Sequence, residues 1–229
     1  MALILHLETA SPVCSVALSR DGKLIALKES AEDKSHATRL TLFISEILAA
    51  CGTSIPELDA VSLSMGPGSF TGLRIGTSVA KGLGYGSGKP LIGIATLQAL
   101  ASHFTGTHPV PDALLCPMLD ARRMEVYAAL YNPGLEEISP AEALVLTKDS
   151  FDRILDQQPV WFFGDGSSKA AGLITHPNAR FAPDVRSSAA GQTVLAEKAW
   201  LRKDFLDTAY FEPHYLKEFI ASIPRNKVL

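Results

Sequence analysis

Four short stretches hold most of the residue types that could do chemistry. The first is Leu7-Glu8-Thr9-Ala10-Ser11-Pro12. An acid at the end of an apolar run, followed by hydroxyl side chains, is where a nucleotide's phosphates could be received. Here no glycine follows Glu8, and Pro12 has no N–H to donate, so phosphate binding at this loop would be weak. The second is GPGSFTG at 66–72. Backbone N–H groups at such a strand-to-helix turn can cradle an anion, or the glycines can simply permit a tight turn. No Gly-Lys-Ser/Thr closes the stretch, so it is not a P-loop, and its third glycine falls one position late for G-x-G-x-x-G. The third is Asp120-Ala121-Arg122-Arg123, a charged turn for an anion or a partner carboxylate, or an ordinary solvated hairpin. The fourth, Gly164-Asp165-Gly166, reads as a nucleotide loop or as a plain turn. The candidate weak nucleotide or anion contacts are therefore Thr9, Ser11, Gly68, Ser69 and Arg122.

Other reactive arrangements are missing. The six histidines, at 6, 36, 103, 108, 176 and 214, include no pair four residues apart, so no metal site is expected. Ser69, Thr71 and Thr77 have no visible His–Asp companions, which argues against a serine hydrolase. Cys14, Cys51 and Cys116 are odd in number, far apart and without a CxxC pair, as expected of reduced thiols in a cytosol. No catalytic residue is expected. The formal charge of −3 offers no basic patch, so any RNA would be gripped mainly by a partner.

These stretches must be carried by ordinary globular elements. The 229 residues are 47% hydrophobic and 20% charged. The start, Met1 to Glu8, lacks a basic n-region and reads as a first strand rather than a signal peptide. No run approaches the ~18 apolar residues of a membrane span. A cytoplasmic location follows as an expectation.

Residues 3–7, 14–19 and 23–29 read as an antiparallel meander, turned at Asp21-Gly22. Residues 35–50 read as a helix, with Ser35 as N-cap, Gly52 as its stop, and Leu40, Phe43, Ile44, Ile47 and Leu48 at helical spacing. A buried strand at 59–65 leads through the glycine turn into a helix ending near Tyr85. A strand at 90–94 and a short helix at 96–103 follow. Three strands, then helix and strand in alternation, predict a lobe of the α/β actin/RNase H-like (ASKHA) fold.

Thr105 to Asp112 is the predicted boundary, giving lobes at 1–104 and 105–229, with the last helix able to pack back on the first lobe. The second lobe is expected to be a degenerate copy. It has a strand pair at 113–119 and 124–131, a poorly patterned segment, a strand at 159–163 and a helix at 188–204. Val194, Leu195, Ala199 and Leu201 are the predicted core of that helix.

Gly72, Gly76, Ala80 and Gly84 recur every four residues on one helix face. Each interior glycine costs about 0.5–1 kcal/mol against alanine, so close approach of another backbone should compensate. Ala37, Thr41, Ser45 and Ala49 form a similar stripe on the preceding helix, flanking its apolar one. Both stripes could face the protein's own sheet or a second subunit.

The sequence resembles the bacterial TsaB (YeaZ) family. The resemblance rests on LETASPVCSVAL (7–18), SHATRLTLFISEIL (35–48), GPGSFTGLRIGTSVAKGL (66–83), IATLQALA (94–101), DARRMEVY (120–127), Gly164-Asp165-Gly166 and PHYLK (213–217), in family order. It implies an actin-like fold and a paralogue of TsaD, the subunit that transfers threonylcarbamoyl to N6 of the adenosine beside the tRNA anticodon. TsaD's paired metal histidines have no counterpart here, where the first helix carries only His36. The resemblance implies a non-catalytic scaffold that pairs with TsaD, or with itself when alone, through its first two helices. It also implies an ATPase, TsaE, in the larger assembly and only indirect contact with tRNA. ATP or ADP would sit at the partner junction, if anywhere, with no cofactor of this chain's own.

Carried over, the interface falls on His36, Arg39, Leu40, Phe43 and Ile47 of the first helix and Leu73, Gly76, Thr77, Ala80 and Gly84 of the second. Glu8 departs from the Asp of many relatives. The competing readings are an autonomous actin-like ATPase or kinase, and a glycoprotease.

Overall fold

A computed structural model describes residues 2–32, 36–110 and 112–217. The meander is β1 (Leu3–Glu8), β2 (Cys14–Arg20) and β3 (Lys23–Ser30). Asp21 and Gly22, at φ +53° and +72°, make the left-handed turn whose twist suits a two-residue hairpin. Then come α1 (His36–Ala50), β4 (Ala60–Ser64), α2 (Phe70–Ser87), β5 (Leu91–Ile94) and α3 (Thr96–Thr107). The strands form one sheet in the order β3-β2-β1-β4-β5, with β1 antiparallel to β2 and parallel to β4.

Alternation along β1 sets up both faces of this sheet. Leu3, Leu5 and Leu7 join a core with Leu40, Phe43, Ile44, Ile47 and Leu48 of α1 and Ala80 of α2. Ile4 faces the other way, into a core with Leu195, Ala196 and Ala199. Gly88, at φ +68°, ends α2 in the left-handed conformation that glycine adopts without steric cost.

The second half repeats this plan. Its strands are β6 (Leu114–Asp120), β7 (Glu125–Tyr131), β8 (Glu137–Val145), β9 (Val160–Phe163) and β10 (Ala179–Ala182). Its helices are α4 (Asp152–Leu155), α5 (Ser167–Ala171) and α6 (Thr193–Arg202), the last entered through a 3-10 turn at Ala189–Gln192. The sheet order is β10-β9-β6-β7-β8, which matches the first sheet strand for strand in chain order. The helices of the copy have shrunk: α4 has 4 residues where α1 has 15, and α5 has 5 where α2 has 18. This is the two-lobed actin/RNase H-like fold.

The halves exchange their last helices. α3 follows the first sheet but packs Leu97, Leu100, Ala101 and Phe104 on Leu115, Leu119, Tyr127 and Phe163 of the second. α6 follows the second sheet but packs on the first.

Several expectations need correction. α3 runs to Thr107, into the stretch read as the start of the linker. The poorly patterned segment between β7 and β9 contains β8 and α4, and the stretch after β9, for which no elements were expected before 188, contains α5 and β10; all are short or exposed. Val194 and Leu201, expected in the core, are exposed, because α6 turns only Leu195, Ala196 and Ala199 to the sheet. The proposed cap Ser35 lies outside the described residues.

Candidate functional site

The end of β1 and the glycine-rich turn are packed against each other. Thr9 Oγ1 donates to the Gly72 carbonyl (2.8 Å), and the Ser69 N–H donates to the Ala10 carbonyl (2.7 Å). Gly68 and Gly72 have no room for a Cβ, which would lie 2.4 Å from the Ala10 carbonyl oxygen and 1.9 Å from that of Thr9. Ser69 caps α2 by accepting from the Gly72 N–H (3.3 Å), and the Gly66 N–H is taken by Thr96 Oγ1 (3.1 Å). On the outer side of Gly66 lies the backbone of His214, whose N–H donates to the Met65 carbonyl (2.7 Å). The donors of this turn at 66, 69 and 72 are therefore spent on the protein itself, as in a tight turn.

Of the weak anion contacts expected from sequence, Thr9, Ser11, Gly68 and Ser69 come together here. Ser11 is buried, and its carbonyl accepts from His36 Nε2 (3.0 Å), tying the loop to the start of α1. Arg122 sits instead on the β6–β7 turn at φ +68°, where its backbone N–H donates to Asp120 Oδ1 (2.6 Å).

Glu8 ends a chain of buried polar groups on the sheet face opposite α1. Ser19 Oγ donates to His6 Nε2 (2.7 Å), and His6 Nδ1 donates to Ser62 Oγ (2.6 Å). Ser62 donates to Gln192 Oε1 (2.7 Å), and Gln192 Nε2 donates to Ser64 Oγ (3.1 Å) and to the Leu7 carbonyl (2.9 Å). Ser64 in turn donates to Glu8, which also accepts from the Ala10 N–H (2.7 Å). Because Ser62 must donate to the amide oxygen, the proton of neutral His6 belongs on Nδ1.

Burial holds the His6 pKa down to about 3. It lifts Glu8 to about 7, against hydrogen bonds from Ser64, Ala10 and Gln192, and Asp165 in the second half adds to the rise. Sequence reasoning missed Ser19, Ser62, Ser64 and Gln192. The signal was the matching alternation of polar residues, His6/Glu8 on β1 and Ser62/Ser64 on β4. Gln192 is distant in sequence and gave none.

The ten expected interface residues mostly face inward. Leu40, Phe43, Ile47, Leu73, Gly76, Thr77, Ala80 and Gly84 are all buried within the chain. A Cβ on Gly76 would meet Thr9 Oγ1 at 2.3 Å, and one on Gly84 would meet the Leu91 side chain at 2.9 Å. The small-residue stripe of α2 therefore admits the chain's own β1 loop and β5. Only His36 and Arg39 reach the surface in part, Arg39 as an ion pair with Glu32.

The outward faces are different ones. On α1, Ala37, Thr41, Leu42, Ser45 and Ala49 are exposed. On α2, Thr71, Arg74, Ser78, Gly82 and Tyr85 are exposed. Leu42 is 51% and Tyr85 89% exposed. The two helices touch side by side, so these residues make one smooth surface with an apolar residue on each helix. The α1 stripe named from sequence lies on it, whereas the α2 stripe does not.

Comparison with known proteins adds the family. The family model of TsaD, tRNA N6-adenosine threonylcarbamoyltransferase, matches residues 29–224. The tRNA threonylcarbamoyladenosine biosynthesis protein TsaB of Bacillus subtilis (strain 168) is 32% identical over 169 residues, 72% of each chain. The chain belongs to the TsaB (YeaZ) family. TsaB of Escherichia coli (strain K12) is 39% identical over 128 residues, 56% of this chain and 54% of that one. The chain spans about half the length of the first curated TsaB relatives it matches. The solved structure of YeaZ from Pseudomonas aeruginosa superimposes with a TM-score of 0.82 at 26% identity, covering 94% of this chain and all of that one. Among the described residues no group of three His, Cys, Asp or Glu is placed to hold a metal ion. No helix among those residues is long and apolar enough to cross a membrane.

Proposed function

We propose that this chain is a non-catalytic accessory subunit of tRNA threonylcarbamoyladenosine (t6A) biosynthesis, pairing with a TsaD-type catalytic chain through the outward faces of α1 and α2. The observation that carries the reading is that surface. Ala37, Thr41, Ser45 and Ala49 beside Ser78 and Gly82 let a second helix pair approach closely, and Leu42 and Tyr85 supply apolar anchors. The same surface would close a homodimer when the chain is alone. In the larger assembly a TsaE-type ATPase joins the pair, ATP or ADP belongs to the partner junction, and the partner holds the tRNA, which suits a net charge of −3. The cytoplasm is the compartment of such an assembly. The inner residues Leu40, Phe43, Ile47, Leu73, Gly76, Thr77, Ala80 and Gly84 support this surface from below.

The test is to place a large charged side chain on the surface without touching the core. Ser45→Arg and Gly82→Arg should abolish co-elution with the TsaD-type chain and dissociate any homodimer, read by light scattering. Neither should lower the thermal midpoint of the isolated chain, because both positions are exposed and Arg at 82 also gains helix propensity over glycine. Full-strength pairing by both variants would exclude this face.

A further inference from the structure

A cleft of about 310 Å³ opens where the two halves meet. Its walls come from the end of β3, from α3, and from residues 184–188 ahead of α6. That volume is at the small end of ligand sites, roughly 300–1,000 Å³. None of its lining residues belongs to the helix surface assigned to pairing.

The charges in it are few and set apart. Glu29 is held in place, since Ser15 Oγ donates to its carboxylate (2.8 Å) while accepting from the Ala189 N–H (2.9 Å). Asp184 and Arg186 line the cleft without an ion pair among the described residues. His103, on α3, is lowered in pKa mainly by burial, so it adds no second positive charge at neutral pH. Ser187 is 5% exposed, and its Oγ is buried with no hydrogen-bond partner among the described residues. A buried hydroxyl left unpaired is destabilising, and a hydrogen bond to a ligand atom would offset that.

The lining discriminates among ligand classes. Two carboxylates against one guanidinium repel a phosphate dianion. No three His, Cys, Asp or Glu among the described residues converge to hold a metal. A purely apolar ligand would leave Arg186, Asp184 and Ser187 unpaired. A small molecule bearing one anionic and one cationic group satisfies all of them.

We propose that this cleft binds a free α-amino acid, its carboxylate received by Arg186 and the Ser187 hydroxyl, its ammonium by Glu29 and Asp184. Because both halves of the fold supply walls, the bound ligand braces them against each other and raises the thermal midpoint of the chain. The open, solvated cleft sets the affinity in the range of ordinary metabolite concentrations rather than tight binding.

The test uses the whole chain, titrated with each L-amino acid in turn by calorimetry and by backbone-amide NMR. At least one should bind saturably with a dissociation constant of about 1 mM or tighter, moving the resonances of 103 and 184–188. Its N-acetyl derivative and its methyl ester, each lacking one charge, should bind at least about tenfold more weakly. Arg186→Ala and Asp184→Ala, at exposed positions, should keep the unliganded thermal midpoint and lose affinity by a similar factor. If no amino acid binds, or if a blocked derivative or either variant keeps full affinity, the proposal fails.

Discussion

Two titratable side chains, His6 and Glu8, lie two residues apart on one buried strand, and acid acts on them in opposite directions. Glu8 has a folded pKa near 7 against an ordinary 4.5, so the stability it contributes is full below pH 4.5 and is lost as pH rises through about 7. His6 has a folded pKa near 3 against an ordinary 6.5, so its contribution is full above pH 6.5 and is lost as pH falls through about 3. Each shift corresponds to about 3–5 kcal/mol. Between pH 4.5 and 6.5 the two slopes oppose and largely cancel. Glu8→Gln removes one of them. Its unfolding free energy, from urea titrations at a series of pH values, should climb with pH across that window, where wild type stays comparatively flat. A profile parallel to wild type would mean that Glu8 is not the buried titrating acid. The Glu8 carboxylate is also the last acceptor of a chain of buried hydrogen bonds running from Ser19.

The second helix carries two kinds of glycine, and sequence spacing could not separate them. Gly76 lies under Thr9, with a Cβ position 2.3 Å from its hydroxyl, whereas Gly82 has open space around it. Gly76→Ala should destabilise the isolated chain by about 1–3 kcal/mol, the usual effect of overpacking. Gly82→Ala should stabilise it by about 0.5–1 kcal/mol through helix propensity. Denaturant midpoints of the two variants should therefore move in opposite directions. A gain in both would show that the helix does not press on the β1 loop. The stripe Gly72/Gly76/Ala80/Gly84 does mark a close approach, as its spacing demanded, but the approaching group is the chain's own. The row Ala37/Thr41/Ser45/Ala49 on α1 was equally visible in sequence and is the one left exposed.

For the whole molecule, the exchange of α3 and α6 ties the halves together. Phe104 of α3 is fully buried and stacks on Phe163 of the second sheet with ring centroids 4.0 Å apart. Leu195, Ala196 and Ala199 of α6 complete the first. Residues 205–217 add a strap: Leu206 bridges to Leu91 of the first sheet, Tyr215 packs on Phe70 at 4.9 Å, and Lys217 pairs with Glu125 of the second. Neither half can unfold without stripping a helix from the other. Calorimetry should show one transition with equal calorimetric and van't Hoff enthalpies. Two resolved transitions would mean that the exchanged helices do not couple the lobes.

The first half of the fold was legible because its signals are local. Asp21-Gly22 turns a hairpin, an apolar stripe from Leu40 to Leu48 makes a helix, and strand and helix periods differ enough to order the elements. The shrunken helices α4 and α5 and the exposed strands β8 and β10 are too short to show a period, so the second sheet emerged only in three dimensions. Contacts over long sequence distances were decided there as well: Gln192 joining Ser62 to Ser64, α3 and α6 trading sheets, and Thr9 filling the notch at Gly76. Periodicity tells which residues share a face, but only the packed chain decides what that face meets.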